Sequence, residues 1–480
     1  MAEIIKQGKC GDNLTWTLDN EGLLTISGSG KMRYWNDSPF KNTNVTKVKI
    51  SHGVTSIGWN AFRECKALTS ITIPNSVTWI GDGAFSGCEA LTSIEIPNSV
   101  TNIGSSAFEG CKALECNEYD NGLYLGNKEN PYAFLIEKKS TDITACSIKD
   151  TCKIIGYRAF SGCKALTSIE IPNSVTEIGG QAFEGCEALK YHEYDNGLYL
   201  GNKENPYAFL IKAKTKDITS CLIDEECYNI ANEAFNGCWR LTNIEIPDSV
   251  TTIGSRAFSG CDALTSIEIP NSVTKIGSWA FGWCEALKKI KIPNSVTEIE
   301  DFTFVRCEAL TIVKIPNSVT SVGIGAFDGC KALKKIKIPN SVTIIEGRTF
   351  VDCEALTNID VAEDNANYAS IDGALFDKEK KILICSPESK TTLKIPHSVT
   401  KIEDVGRSLK NIYIQCKHPE LLEINEYAFR EIRSKNCTLH VPAGSRERYR
   451  QHPRFRKFKK LKVKHDNFID FIMYLIGKHI

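Results

Sequence analysis

Residues Ser161–Gly179 read SGCKALTSIEIPNSVTEIG, and close copies of this stretch begin at Ser86 and Ser259. The Ile-Glu-Ile at 169–171 alternates apolar and polar side chains, which is typical of a half-buried β-strand. The Pro-Asn-Ser at 172–174 ends the strand, because proline fixes φ and lacks an N–H, while asparagine and serine favour turns. Each copy therefore predicts one short strand followed by a turn.

Cysteine marks the period of the repeat. Within each group of copies the spacing is 23 residues, and consecutive groups are 52 residues apart, which is 23 plus 29. The copies share the pattern C-x-A-L-T-x-I-x-I-P-N-S-V-T-x-I-G-x-x-A-F-x-G. One copy cannot bury its apolar side chains alone, whereas stacked copies form a continuous core, so the pattern predicts a solenoid. The repeat cysteines are Cys65, Cys88, Cys111, Cys163, Cys186, Cys238, Cys261, Cys284, Cys307, Cys330 and Cys353.

The same apolar positions recur in every copy and are predicted to point inward. Gly179 follows them where the chain is expected to bend sharply, since glycine has no Cβ. In the copy quoted above the inward positions are Ile169, Ile171, Val175, Ile178, Ala182, Phe183 and Cys186.

The recurring P-[ND]-S-V-T-x-I-G-x-x-A-F core resembles the BspA-like leucine-rich repeats of bacterial surface proteins, over roughly residues 45–445. The end pieces Cys10–Gly30 and Cys437–Phe458 also look like that family's. We predict a repeat solenoid, mostly β, with a right-handed leucine-rich-repeat-like coil of about 13 turns. The resemblance implies adhesion or binding rather than catalysis, at the cell surface or after secretion. Serine stands at 76, 99 and 174, where leucine-rich repeats often have an asparagine ladder.

Two insertions interrupt the period. Residues 118–136 and 193–211 are identical over 19 positions and lie 75 apart, and each predicts a hairpin around the turn NKENP. A calcium loop is a weaker alternative for the first insertion, because its spacing does not match an EF-hand. The predicted domains are a β-hairpin cap over 1–44, a solenoid over 45–442 with hairpin insertions near 115–142, 190–217 and 362–390, and a basic helical cap and tail over 443–480.

The two ends of the chain predict caps for the solenoid. Leu14–Ser27 reads as a hairpin, and Ser445 is a candidate N-cap for a helix from Arg446 to about Arg456. The basic segment Arg446–Lys464 either contacts an anionic glycan, lipid or nucleic acid, or forms an amphipathic cap with a solvated basic face. The apolar stretch 466–480 is too short to span a membrane and predicts a docking helix.

Composition narrows the functional class. Lys plus Arg and Asp plus Glu both number 58 among 480 residues, and this balance argues against a nucleic-acid binder. No apolar run is long enough for a membrane span, and the first residues contain no signal-peptide core as written. Either the protein stays inside the cell or a leader has been removed. We expect a monomer with a protein or glycan partner.

The cysteines are expected to be buried thiols. Register places Cys146 and Cys221 where Ile169 lies in the repeat, and Cys152 and Cys227 where Val175 lies. Buried free cysteine behaves as a small hydrophobic residue. The sequence lacks C-x-x-C, which disfavours thioredoxin-like and zinc-ribbon sites, and the 20 thiols slightly favour a reducing compartment.

No catalytic motif is present. The sequence has no H-E-x-x-H, no Walker A loop, no G-x-S-x-G and no dinucleotide-binding glycine motif. We therefore predict that the protein is not an enzyme and has no catalytic, cofactor-binding or metal-binding residues.

Candidate binding residues are those that differ between copies on the exposed face. The outward strand position is acidic in the earlier copies and basic later, with Lys289 and Lys335 adding charge nearby, and duplication of neighbouring coils is the alternative explanation. Tryptophan also occupies variable positions, and Trp239 and Trp283 replace the usual Lys/Glu and Gly. The candidate partner-binding residues are Glu95, Glu170, Glu245, Glu268, Lys291, Lys314, Lys337, Trp59, Trp79 and Trp279.

The sequence thus predicts a non-enzymatic binding or adhesion solenoid that recognises a protein or glycan through its exposed strand face. The alternative is an intracellular scaffold or structural repeat protein, which would be cytoplasmic.

Overall fold

The computed structural model describes residues 2–11, 13–429, 432 and 436–464, so the predicted docking helix over 466–480 lies outside the described residues. The chain forms two compact units. The first unit holds Met1–Lys212 and Glu226–Ala234, and the second holds Ala213–Glu225 and Phe235–Ile480. Each unit is a mostly-β solenoid of stacked coils, as the repeat predicts. The boundaries of the three predicted domains stay a prediction.

Short strands dominate the described chain. The first twenty are β1 Ile4–Lys9, β2 Leu14–Asp19, β3 Leu23–Gly28, β4 Gly30–Lys31, β5 Lys47–Ile50, β6 Val54–Ile57, β7 Ser70–Thr72, β8 Trp79–Ile80, β9 Ser93–Ile94, β10 Asn102–Ile103, β11 Asn117–Tyr119, β12 Gly122–Leu125, β13 Phe134–Lys138, β14 Ala145–Ser147, β15 Ile154–Ile155, β16 Ser168–Glu170, β17 Glu177–Ile178, β18 His192–Tyr194, β19 Gly197–Leu200 and β20 Phe209–Ala213.

The later strands continue this series, and the described residues also include a 3-10 turn at Pro419–Leu421 and one α-helix. They are β21 Ser220–Leu222, β22 Asn229–Ile230, β23 Asn243–Glu245, β24 Thr252–Ile253, β25 Ser266–Ile267, β26 Lys275–Ile276, β27 Lys289–Lys291, β28 Glu298–Ile299, β29 Ile312–Lys314, β30 Ser321–Val322, β31 Lys335–Ile338, β32 Ile344–Ile345, β33 Asn358–Val361, β34 Tyr368–Ile371, β35 Ala374–Asp377, β36 Ile382–Cys385, β37 Thr392–Ile395, β38 Lys401–Ile402, β39 Asn411–Ile414, β40 Glu423–Ile424, β41 Thr438–Pro442, α1 Arg446–Gln451 and β42 Lys460–Lys464.

Each coil contributes two parallel strands, one on each side of the Pro-Asn-Ser turn. In the first unit β14 pairs with β16, with Cys146 opposite Ile169, and β15 pairs with β17, with Ile155 opposite Ile178. In the second unit β25, β27 and β29 form one such row, and β28, β30 and β32 form the other. The repeat period of 23 therefore places equivalent residues side by side in adjacent strands.

The predicted inward positions form the core. Ile169, Ile171, Val175 and Cys186 are all buried. The repeat phenylalanines stack between coils, and the Phe160 and Phe183 rings lie 5.6 Å apart with an interplanar angle of 3°. Near-parallel stacking at this distance adds to the stabilisation that burial of each ring provides.

Side-chain hydrogen bonds link each coil to the one before it. The Cys186 thiol donates to the Phe160 carbonyl at 3.1 Å, and most other repeat cysteines repeat this bond. The Ser76 hydroxyl donates to the Val54 carbonyl at 2.8 Å. Ser99 makes the same inter-coil bond to Val77, whereas the Ser174 hydroxyl is buried without a hydrogen-bond partner, so serine forms this bond in some of the coils where an asparagine ladder was considered.

Gly179 is required for close approach of coils. A Cβ there would lie 2.5 Å from the Tyr157 backbone nitrogen, inside van der Waals contact. Left-handed backbone occurs instead later in the coil, at Gln181 and at Gly185, where φ is 56° and 72°. Two left-handed residues per coil produce the bend that was expected at Gly179.

The insertions are antiparallel, as predicted, but each has three strands. β11, β12 and β13 pair in order, and β18, β19 and β20 repeat the arrangement. The last strand, β13, then pairs in parallel with β15, with Phe134 opposite Ile154. Each insertion therefore ends as a strand of the solenoid itself. In the turn, the Asn127 carboxamide oxygen accepts the backbone N–H groups of Glu129 and Asn130, which is the asparagine turn chemistry expected from the sequence.

The N-terminal residues form the expected hairpin, β2 with β3, preceded by β1, and β3 pairs in parallel with the first repeat strand β5. The C-terminal helix is shorter than predicted, because it ends at Gln451 rather than near Arg456. His452 precedes Pro453 and is extended, and proline disfavours helical backbone in the residue before it. The chain then forms β42, which pairs in parallel with β41. The turn count of the solenoid differs a little from the predicted 13.

Candidate binding surfaces

One row of the second unit's exposed strand face carries the predicted change of charge. Glu245 and Glu268 lie at the outward position of two successive coils, and Lys291, Lys314 and Lys337 occupy it in the next three. The parallel register places Lys291 directly beside Lys314. Adjacent strands lie about 4.8 Å apart, so like charges are held side by side along the row.

A second row two residues earlier adds more lysine. Lys289 lies beside Ile312, and Lys335 occupies the same position in the following coil. Ile312 is 71% exposed, whereas the next residue in the strand, Val313, is buried. We call this surface the basic strand patch, and it consists of Ile312 and the seven exposed lysines Lys288, Lys289, Lys291, Lys314, Lys334, Lys335 and Lys337.

The ammonium groups of the basic strand patch have no carboxylate within ion-pair distance in the part of the chain that the structure describes. Like charges opposite one another on a sheet destabilise it by about 0.2–1 kcal/mol per pair. The patch therefore concentrates positive charge over three successive coils, with Glu268 and Asp360 at the outward position of the coils on either side, although the protein as a whole has a formal net charge of zero.

The acidic candidates of the first unit form ion pairs with lysines of the insertions, and both carboxylates remain exposed. The turn of the first insertion places Lys128 Nζ 3.6 Å from Glu95 Oε1, and the second insertion places Lys203 Nζ 3.3 Å from Glu170 Oε1. Neither carboxylate is thus available as an unpaired charge. The sequence analysis did not predict these ion pairs, because the two partners are 33 residues apart. The duplicated NKENP turn, which contains both lysines, was the sequence feature that could have indicated them.

The predicted tryptophans are half-buried and stacked on neighbouring aromatic rings. Trp59 stacks on Tyr34 with centroids 4.4 Å apart, and Trp79 meets the same tyrosine edge-on at 6.0 Å. In the second unit Trp279 stacks on Phe302 at 4.4 Å and on Trp283 at 5.0 Å. Packing on the coil edge therefore accounts for much of their surface.

Two other tryptophans are more exposed than the predicted ones. Trp239 is 55% exposed and Trp283 is 37% exposed. Trp283 has left-handed backbone, with φ of 58°, at a position that is Gly260 in the preceding coil and Arg306, with φ of 55°, in the next. A left-handed non-glycine residue costs roughly 1–2 kcal/mol, and Glu64, Arg306 and Asp352 are also left-handed at this position of their own coils. The sequence signal was the replacement of the usual glycine.

The thiols offer little nucleophilic chemistry. All 20 cysteines are free, and most are buried in the core. Burial raises the pKa of Cys65 and of Cys284 to about 12, so these thiols stay protonated at neutral pH. Because the thiolate is the reactive form, the repeat cysteines are structural.

A cluster of partly buried charges lies in the second unit near the third insertion. Burial, and then the neighbouring Glu388 carboxylate, raises the pKa of Asp404 to about 7. Arg407 Nε lies 3.4 Å from Glu388 Oε2 and its guanidinium also contacts Asp352. These pairs tie the irregular coil to its neighbours. Among the described residues no group of three or more His, Cys, Asp or Glu side chains is arranged to hold a metal ion.

The C-terminal basic segment packs as a cap. Tyr449, Phe455 and Phe458 are buried, and Arg448 Nη1 lies 2.7 Å from Glu420 Oε1. This packing supports the interpretation of the segment as an amphipathic cap. In the described ranges up to Lys464, no helix combines the length and apolar character needed to cross a membrane.

The family follows from the repeat itself. The model described as "BspA type Leucine rich repeat region (6 copies)" matches residues 33–129, 130–261, 205–323 and 297–430. These matches span more than half of the sequence. The chain belongs to the BspA-type leucine-rich repeat family. This confirms the resemblance seen in the sequence. Proteins with leucine-rich repeats of this type are generally non-enzymatic.

Solved leucine-rich repeat proteins resemble this BspA-type chain. One from Bacteroides ovatus is 24% identical, with 95% of this chain and 99% of that chain covered and a TM-score of 0.36. One from Eubacterium ventriosum is 25% identical, with 75% and 91% covered and a TM-score of 0.35. A leucine rich cell surface protein from Faecalibacterium prausnitzii is 27% identical, with 75% and 95% covered and a TM-score of 0.31. No curated protein sequence matches the chain.

Proposed function

We propose that this chain is a non-enzymatic binding or adhesion solenoid that recognises an acidic protein or glycan through the basic strand patch. The observation that carries the proposal is the set of seven exposed lysines around Ile312, none of which has an ion-pair partner in the described chain. A partner with matching negative charge would relieve the repulsion between neighbouring strands.

The patch is suited to recognition because its charges are held by a rigid row of strands. Lys291 and Lys314 are fixed in register by β27 and β29, whose buried residues Ile290 and Val313 belong to the core. Fixed charges steer an approaching partner and speed association, and the exposed Ile312 offers an apolar contact at the centre of the patch. Glu245 and Glu268, at the acidic end of the row, would disfavour a partner bound in the wrong direction.

Exposed aromatic rings form the second part of the proposal. Trp283 stacks on Trp279 and is 37% exposed, and tryptophan is enriched in binding hot spots. We assign to Trp283 and Trp279 a role in slowing dissociation, separate from the role of the lysines in association.

The family supports a location at the cell surface, where an adhesion protein would meet its partner. A cytoplasmic scaffold is the second candidate function, and the 20 free cysteines favour it, because free thiols persist in reducing compartments.

The test is a surface-binding measurement with the full chain against an array of acidic polysaccharides, neutral polysaccharides and acidic proteins. The variant Lys291→Glu/Lys314→Glu/Lys337→Glu should lose capture of acidic partners by at least about tenfold in affinity. A control variant with the same change of charge is Lys66→Glu/Lys112→Glu/Lys164→Glu, whose three lysines lie outside the patch, and it should retain capture.

Equal capture by the wild type and both variants would contradict the proposal and make the lysine row a result of coil duplication. Protease treatment of intact cells separates the two candidate functions. Cleavage of the native chain is expected for a surface protein, and protection would favour the cytoplasmic scaffold.

A further inference from the structure

A cavity of about 710 Å³ lies in the first unit, between the two identical insertions. Strands β14 and β16 form its floor. Tyr119 and Asp150 line one side, and Asn202, Lys203 and Glu204 in the turn of the second insertion line the other. Its volume falls within the range of small-molecule sites, about 300–1,000 Å³.

The wall formed by the second insertion is fixed by hydrogen bonds and an ion pair. The Asn202 carboxamide donates to Asn173 Oδ1 at 2.6 Å, and its oxygen accepts the Glu204 backbone N–H at 3.0 Å. Lys203 Nζ lies 3.3 Å from Glu170 Oε1 on the floor. The polar groups of this wall are therefore positioned before any ligand arrives, which lowers the entropy lost on binding.

The opposite wall carries an aromatic ring that is held in place. Lys149 Nζ lies 4.6 Å from the centre of the Tyr119 ring, and Tyr132 meets that ring edge-on at 6.1 Å. Asp120 next to it accepts the Ser147 backbone N–H at 2.6 Å, which joins this insertion to the floor. The cavity thus has one aromatic side and one polar side.

The chemistry of the lining selects the class of ligand. Carboxylates at Asp150, Glu170 and Glu204 accept hydrogen bonds, the Lys203 ammonium donates them, and the Asn202 amide does both. The three carboxylates disfavour an anion, and two ammonium groups, Lys203 beside Glu170 and Lys149 beside the Tyr119 ring, offset most of this negative charge and weaken attraction for a cation. We propose that this cavity binds a neutral saccharide of one or two rings, whose hydroxyl groups donate and accept and whose C–H faces pack on tyrosine.

Duplication explains why the cavity forms between these two insertions. The turn of the first insertion makes the same contacts with its own coil, because Asn127 donates to Asn98 Oδ1 at 2.8 Å and Lys128 pairs with Glu95. No insertion precedes it in the repeats, so that turn has no opposite wall. The site is independent of the basic strand patch, which belongs to the second unit.

The identical copies provide matched controls for an experiment. Tyr119 lines the cavity, whereas its counterpart Tyr194 in the second copy does not, and Lys203 lines it whereas Lys128 does not. Each pair sits in the same local sequence, but Tyr119 also packs against Lys149, where the second copy has Asp224, so the stability of each variant is measured beside its Kd. A difference in Kd between members of equal stability reports on the cavity itself.

The full chain is titrated with lactose, cellobiose, maltose and chitobiose, and binding is followed by saturation-transfer NMR and calorimetry. At least one sugar should bind with a Kd of about 0.1–10 mM, and Tyr119→Ala and Lys203→Ala should each weaken it by about tenfold or more. Tyr194→Ala and Lys128→Ala should leave the Kd within about twofold, which corresponds to less than about 0.5 kcal/mol.

Absence of binding by every sugar at about 10 mM would overturn the proposal, as would equal loss in both members of a pair. Binding of spermidine in place of the sugars would assign the cavity to cations and would also overturn it. The variant Lys291→Glu/Lys314→Glu/Lys337→Glu should bind the sugar as the wild type does, so failure of this proposal is distinct from failure of the basic strand patch.

Discussion

The outward strand position behaves differently in the two units. In the first unit Glu95 and Glu170 occupy it, and the insertions supply Lys128 and Lys203 as ion-pair partners. In the second unit the basic strand patch contains this position, and no insertion covers its coils in the sequence. The repeat therefore fixes which side chains face outward, whereas an insertion decides whether their charge remains available to a partner.

The largest effect should come from the core, which the two regions share. Phe183→Ala in the first unit and Phe281→Ala in the second should each destabilise the protein by about 3–5 kcal/mol, because each removes a buried, stacked ring. Ile312→Ala, at an exposed apolar residue, should change stability by less than about 0.5 kcal/mol. Urea denaturation measures the stability of all three variants. An unchanged midpoint for either phenylalanine variant would show that its ring does not contribute to a packed core.

A partly buried carboxylate extends the comparison, because burial, rather than a neighbouring lysine, governs the pKa of Asp404. Its pKa is raised to about 7, so the folded state holds a proton that the unfolded state releases above about pH 4. Its contribution to stability is present below about pH 4 and is lost as pH rises to about 7. Asp404→Asn should therefore match the wild type near pH 4 and exceed it by about 1–3 kcal/mol near pH 8.

Thermal unfolding across this pH range is the measurement for Asp404. The control is Asp360→Asn, at an exposed aspartate, which should give no such trend. A stability difference for Asp404→Asn that stays constant with pH would show that the carboxyl does not carry a proton in the folded protein.

A single charge reversal should stabilise the second unit. Lys314→Glu replaces the like-charge contact with Lys291 by an attractive one, and Lys337 flanks it in the next coil. We expect a gain of about 0.5–1 kcal/mol that fades at high salt. Lys410→Glu makes the same charge change outside the patch and should be neutral. A loss of stability in Lys314→Glu would mean that the patch is not under electrostatic repulsion.

The smallest effect should appear in the first unit. Lys128→Ala and Lys203→Ala remove exposed ion pairs with Glu95 and Glu170, and we expect a loss of about 0.2–1 kcal/mol for each in low salt. Chemical denaturation at low and high salt would detect it. If these lysines could be removed with a gain in stability, the insertions would not be neutralising the acidic row.

The repeat allowed the fold to be predicted in detail, because each inward residue recurs at a fixed position and has only one core to enter. The register of Cys146 with Ile169 followed from counting residues. The C-terminal helix was overestimated, since basic residues after Ser445 suggested a longer helix than Pro453 permits.

The candidate site was only partly predictable. The lysines of the outward row could be read from spacing alone, but the exposed Ile312 was not singled out, because the same position is polar in most copies. The ion pairs that Glu95 and Glu170 form with lysines depend on where each insertion folds back onto its coil, and residue spacing does not predict such a long-range contact. The exposure of the tryptophans depends on how their rings stack on neighbouring aromatic rings, and residue spacing does not predict this stacking.

The central claim is that the open charge of the basic strand patch drives partner association. The most direct measurement is the association rate of the full chain with immobilised sulfated dextran over a salt series, for the wild type and for Lys291→Ala/Lys314→Ala/Lys337→Ala. The rate for the wild type should fall steeply between about 0.05 and 0.5 M salt, while the variant should be slow and nearly insensitive to salt. The same rate and the same salt dependence in both proteins would contradict the claim.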